Sequence, residues 1–109
     1  MSPTAHHTIA CDTTAAECIA NTARALEALA RADHLQGQQI FSMPTSFTQA
    51  ALEKRLFDAI ESGHLAPDCR FAVAAKNLAR NHTLPIDQFI SRIEKFNAGD
   101  YGDWTGATQ

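Results

Sequence analysis

Residues 83–97 read Thr-Leu-Pro-Ile-Asp-Gln-Phe-Ile-Ser-Arg-Ile-Glu-Lys-Phe-Asn, and this stretch decides the fold class. Ile86, Phe89, Ile90, Ile93 and Phe96 recur at three-to-four spacing and line one face of an α-helix. Gln88, Ser91, Arg92 and Lys95 fall on the opposite face. Thr83 is placed to cap, and Pro85 suits a first turn, where the missing N–H leaves nothing unsatisfied. Asn97 and Gly99 supply the stop, so a helix is expected over 84–97.

The same period continues upstream. Phe71, Ala74, Ala75 and Leu78 give an inner face over 67–81, with Pro67 and Asp68 suited to its start and Arg70, Lys76, Asn77 and Arg80 lying opposite. Before it, Leu52, Leu56, Phe57 and Ile60 mark a helix over 46–62. Ser46 to Gln49 forms its expected capping box, Gly63 its left-handed stop, and Leu65 folds back on the last turn. Ile19, Ala23, Leu26, Leu29 and Ala30 mark a helix over 14–34, opened by a second capping box at Thr14–Glu17 and carrying a Glu27–Arg31 pair four residues apart. Residues 36–44 interrupt this pattern. Pro44 biases Met43 toward extended backbone, and Ile40, Phe41 and Met43 are too apolar for a free linker, so they are expected to pack on the core. The fold class is mainly α, a compact bundle of three to five helices, with room for a short extended segment near 38–43. Residues 1–13 read as an irregular lead-in, 14–97 as the helical domain and 98–109 as an acidic-aromatic tail.

Composition sets the boundaries. With 109 residues, 45% apolar and 19% charged, the chain suits one folded domain and excludes wholesale disorder. The net charge of −3 divides as −2 over residues 1–44, +1 over 45–97 and −2 over 98–109, so no basic block marks nonspecific nucleic-acid or membrane binding. The Ala-rich stretch 14–32 is interrupted by Glu17, Arg24, Glu27 and Arg31, and no membrane span fits. An odd set of cysteines, Cys11, Cys18 and Cys69, without an apolar signal core points to a reducing, cytoplasmic setting.

Chemistry-bearing constellations are sparse. His6, His7, Cys11 and Cys18 are metal-ligand types, but adjacent histidines and cysteines seven apart chelate poorly, so neither metal nor cofactor is expected. Cys69 reads as a structural thiol, although a helix start could activate one. Asp58 with Glu61, and Asp87 with Glu94, read more simply as solvated faces than as acid/base pairs. Hydrolase, phosphate-loop, dinucleotide and Cys-x-x-Cys signatures are missing, and a catalytic role is not expected.

Two binding readings follow. Tyr101 and Trp104 between Asp100 and Asp103 form a candidate partner-binding segment, because aromatics bury large area with few rotors. A small acidic domain without catalytic motifs fits an inhibitor or adaptor that occludes another protein or a protein–nucleic acid complex. Inhibitors encoded by phages and mobile elements, anti-CRISPR proteins among them, have this profile. The alternative is a helix–turn–helix regulator, a dimer seamed by the first helix. Leu78-Ala79, the break at His82-Thr83, Leu84, Phe89 and Ile93 match that motif's spacing. The stretch from Ile60 through Arg70 to Ile93 resembles winged-helix regulators of the GntR type, over about a third of the chain. The alignment needs one inserted residue between Phe71 and Leu78, His82 and Thr83 depart from the usual residues, and no wing follows. The resemblance implies that Gln88, Ser91, Arg92 and Lys95 face a DNA groove, with Arg70, Lys76 and Arg80 available for phosphates.

Overall fold

The first helix, α1, runs Thr13–Leu35 and buries Ile19, Ala23, Leu26 and Ala30 along one stripe. It belongs to a computed structural model that describes residues 13–80 and 84–101. Three further helices follow: α2 at Met43–Glu61, α3 at Arg70–Arg80 and α4 at Ile86–Asn97. The described residues contain no β-strand, so the mainly α bundle read from the sequence is the architecture, and residues 38–43 form none of it as a strand.

Cross-helix pairs give the directions. Asp33 near the end of α1 meets Ser42 and Thr45 at the start of α2, while Cys18 near the start of α1 lies 3.3 Å from Arg55 toward the end of α2. Glu27 bonds Asn97 and Arg31 bonds Glu94, so α4 also runs antiparallel to α1. Arg80 at the end of α3 reaches Glu53, and Phe71 at its start packs on Phe96 near the end of α4. The result is an up-down-up-down bundle in which α1 has α2 and α4 as neighbours and α3 leans mainly on α2.

The core is built largely from the residues whose spacing announced it, with Ala59 added and with the expected Leu29, Phe57, Ile60 and Phe71 only half-buried. Leu52, Leu56 and Ala59 of α2, Leu78 of α3, and Ile86, Phe89, Ile90, Ile93 and Phe96 of α4 are buried with the α1 stripe. Each fully buried Leu, Ile or Phe contributes roughly 1.5–3 kcal/mol. Along α3 the buried residues are mostly Ala72, Ala74, Ala75 and Ala79, small enough to bring that helix close to α2. There the amide of Gln49, itself buried, donates to the Ala79 carbonyl at 3.5 Å and helps hold the end of α3.

Several expected details are displaced. Helix α2 begins at Met43, not Ser46, with Ser42 as its cap residue and Pro44 inside its first turn. Proline tolerates that position because the first-turn N–H groups have no intrahelical partner. Ser46 donates its backbone N–H to the Ser42 carbonyl and Gln49 points into the core, so the expected capping box does not form. Thr14 likewise lies inside α1. Helix α3 begins after Pro67, and Cys69 stands at its start, its sulfur accepting the Ala72 N–H at 3.4 Å. The Gly63 stop is as expected: φ is +84°, His64 N–H reaches the Ala59 carbonyl at 2.9 Å, and Leu65 is buried behind it.

Candidate interaction surface

The buried stripe of α1 advances through Ile19, Ala23, Leu26 and Ala30, and its next position is Asp33. A carboxylate on a core-facing register needs donors. Asp33 finds them on α2: the Ser42 N–H at 3.0 Å and the hydroxyls of Ser42 and Thr45. Burial pulls the Asp33 carboxyl upward, but these three hydrogen bonds outweigh it and hold the group below the ordinary aspartate range. Ser42 gives its hydroxyl to Asp33, and it makes no side-chain cap to its own helix.

The connection between α1 and α2 is pinned at two further points. Ile86 N–H donates to the Gln39 carbonyl at 3.4 Å, and the Phe41 ring packs on Phe89 with centroids 4.4 Å apart. With Gln39 and Phe41 held, Ile40 between them is turned outward and is 69% exposed. On α2 the inward register is taken by Thr45 and Gln49, both buried. Met43 and Phe47, four residues apart, therefore share the outward face at 76% and 72% exposure. Leu35, just past the Asp33 register, is 86% exposed. The expectation that Ile40 and Met43 pack on the core is thus corrected: of the three apolar residues in this break, only Phe41 goes inward.

These four side chains sit in a stretch of unusual chemistry. From residue 34 through 52 there is no Asp, Glu, Lys or Arg. Exposed Gln36, Gln38 and Gln39 lie between the apolar positions, and a hollow beside them is lined by His34, Gln38, Gln39, Pro85, Ile86 and Asp87. Protein interfaces have cores depleted in charge and enriched in aromatic residues and Met, ringed by polar groups. The α1–α2 end has that composition. Sequence reading alone missed it by sending the apolar residues inward. The charge-free run was the available signal, together with the helical register that puts Thr45 and Gln49 beneath Leu52.

No protein-family model, curated protein or solved structure matches the chain.

The residues singled out from sequence are distributed elsewhere. Asp100 is exposed, and its N–H closes the end of α4 on the Lys95 carbonyl at 2.8 Å. Tyr101 is half-buried, its ring 5.4 Å from Phe96 and 5.9 Å from Phe71. Asp103 and Trp104 lie outside the described residues, as do His6, His7 and Cys11. Among the described residues no three His, Cys, Asp or Glu side chains gather to hold a metal, and no helix is long and apolar enough to cross a membrane. Cys18 is exposed, with the Arg55 guanidinium on its sulfur at 3.3 Å.

Of the candidate DNA contacts, Gln88, Ser91 and Lys95 are exposed along α4, Arg92 and Lys76 are half-buried, and Arg70 is exposed at the start of α3. Arg80 turns to α2, bonding Glu53 at 2.6 Å with its guanidinium 5.1 Å from the Phe57 centroid. The structure therefore gathers the α4 residues on one helix face but directs Arg80 to a different neighbour. One member of each carboxylate pair considered for acid/base work is engaged with a cation, and Asp87 accepts the Gln88 N–H. Asp58 lies 3.3 Å from Lys54, and Glu94 bonds Arg31, whose pKa is raised by hydrogen bonds to Glu27 and then Glu94.

Proposed function

We propose that this chain is a non-catalytic interaction domain, an inhibitor or adaptor that works by covering a surface of another macromolecule. The observation that carries the reading is the outward display of Leu35, Ile40, Met43 and Phe47 within a charge-free segment at one end of the bundle. Large apolar side chains grouped within one short segment expose area that water disfavours, and such patches on folded domains mark contact surfaces. Asp58 and Glu94 are paired with Lys54 and Arg31, and the sulfur of Cys69 accepts an N–H at a helix start, which favours a structural role for these groups and contact as the working role of the domain.

The test is affinity purification from the native host with the full-length chain as bait, comparing wild type with Phe47→Asp and nuclease-treated with untreated samples. The expected result is a nuclease-resistant protein partner whose affinity for the bait falls by at least about tenfold in the variant, the scale of an interface hot spot. Equal binding by Phe47→Asp would remove this face from the reading. A partner lost on nuclease treatment would replace it with a nucleic-acid one.

A further inference from the structure

We propose that the α1–α2 end seats a second copy of this chain, in an isologous dimer whose centre is Phe47. The inference rests on reading this face as a protein-contact surface and goes further by naming what covers it.

Three observations support a second copy. First, a two-fold interface is self-complementary, residue i of one copy meeting residue j of the other and the reverse, so a patch whose centre carries charge of one sign repels its own copy. This patch spans residues 34–52 without an Asp, Glu, Lys or Arg, so its centre can face itself without repulsion, with Asp87 beside Gln38 and Gln39 at its edge. Second, the outward face of α2 has the spacing of a helix–helix seam. Met43, Phe47, Ala50 and Lys54 follow in steps of four, three and four, and all are exposed. In an antiparallel pairing about Phe47, the small Ala50 lets the two helices approach. Lys54, already paired with Asp58, lies toward the outer end, away from its symmetry mate. Third, the area is sufficient for the centre of a dimer. At the exposures seen for Leu35, Ile40, Met43 and Phe47, side chains of this size present on the order of 500 Å² per copy. A standard interface needs about 800 Å² per partner. The exposed Gln36, Gln38, Gln39 and Ser46 are available as the polar rim.

A dimer of this kind would present two copies of the remaining surface to a target, so that avidity adds to a modest single contact. Losing Phe47 would then weaken target capture as well as self-association.

The experiment is sedimentation equilibrium of the full chain across the micromolar range, with reductant present so that a Cys18 disulfide does not contribute. Wild type, Phe47→Asp and Ile40→Asp are compared, with far-ultraviolet circular dichroism confirming that each remains helical. Both substituted residues are exposed, and Ile40 lies outside the helices, so at least one variant should keep the fold. The expected result is twice the monomer mass for wild type and a dissociation constant raised at least tenfold in each folded variant. A wild type that stays monomeric throughout, or dimers unaffected by both substitutions, overturns the proposal. A monomeric wild type that still loses its captured partner on Phe47→Asp would overturn self-association alone and leave the contact surface standing.

Discussion

The carboxylate of Asp33 holds the start of α2 through Ser42, accepting both its backbone N–H, at 3.0 Å, and its hydroxyl. An acidic group at a helix N-terminus also complements the positive end of the helix dipole. Because this cap comes from α1, it fixes where α2 begins and so which residues of 40–47 face outward. Asp33→Ala is expected to destabilise the domain by about 1–2 kcal/mol, as loss of a side-chain cap does. Urea unfolding monitored by circular dichroism measures it.

The same carboxylate makes stability depend on pH. Its pKa is depressed in the folded chain, so its contribution is complete above the unfolded value and is lost as pH falls through the lower folded value. Stability of the wild type should drop below about pH 4, the unfolded aspartate range, and Asp33→Asn should show a shallower drop over that interval. Parallel acid profiles for the two proteins would show that Asp33 is not the group responsible.

Ile40 and Phe41 are adjacent but face opposite ways, and their substitution should separate them. Ile40→Ser should change stability by no more than about 0.5 kcal/mol, as for exposed sites. Phe89→Ala, which removes the fully buried ring under Phe41, should cost about 3–5 kcal/mol. Thermal unfolding of both variants at a protein concentration where the chain is monomeric checks the assignment, and a large loss from Ile40→Ser there would place that side chain in the core.

The contrast between these neighbours also marks where the sequence was legible. The α4 stripe from Ile86 to Phe96 could be read because one periodic face admits only one burial pattern, and all five residues are buried. The start of α2 could not be read that way. Pro44 signals both a break and a helix start, and the choice is made by Asp33, nine residues before Ser42 in sequence and brought to it only by the α1–α2 turn. Local capping patterns such as Ser46–Gln49 were overridden because Gln49 is buried and directs its amide N–H to the Ala79 carbonyl on α3 instead. The outward face was hidden for the same reason: apolar character tells how strongly a residue avoids water, not whether its own chain or another molecule covers it.

Gly63 ends α2 in the left-handed region at φ +84°, and a Cβ there would meet nothing within 4 Å. The penalty for a side chain is therefore conformational and not steric crowding. Gly63→Ala should cost about 1–2 kcal/mol, and Gly63→Asn less, because asparagine visits this region more readily. Equal costs for the two would show that the backbone conformation is not what this position selects.

Arg80 joins α3 to α2 through Glu53 at 2.6 Å and lies over the Phe57 ring. Both charged side chains are partly solvated, at 53% and 32% exposure, so the pair should be weak, and a double-mutant cycle is needed to see it. Arg80→Ala, Glu53→Ala and the double variant should give a coupling of about 0.5–1 kcal/mol, falling as salt is raised. The stacking on Phe57 should survive salt, so part of the Arg80→Ala cost should remain when the Glu53 coupling has gone. If Arg80 instead served a phosphate contact, duplex DNA at low salt would bind the wild type and lose affinity in Arg80→Ala while the Glu53 coupling stayed near zero. That pair of results would show that the α2 contact contributes nothing and would direct attention to α3 and α4.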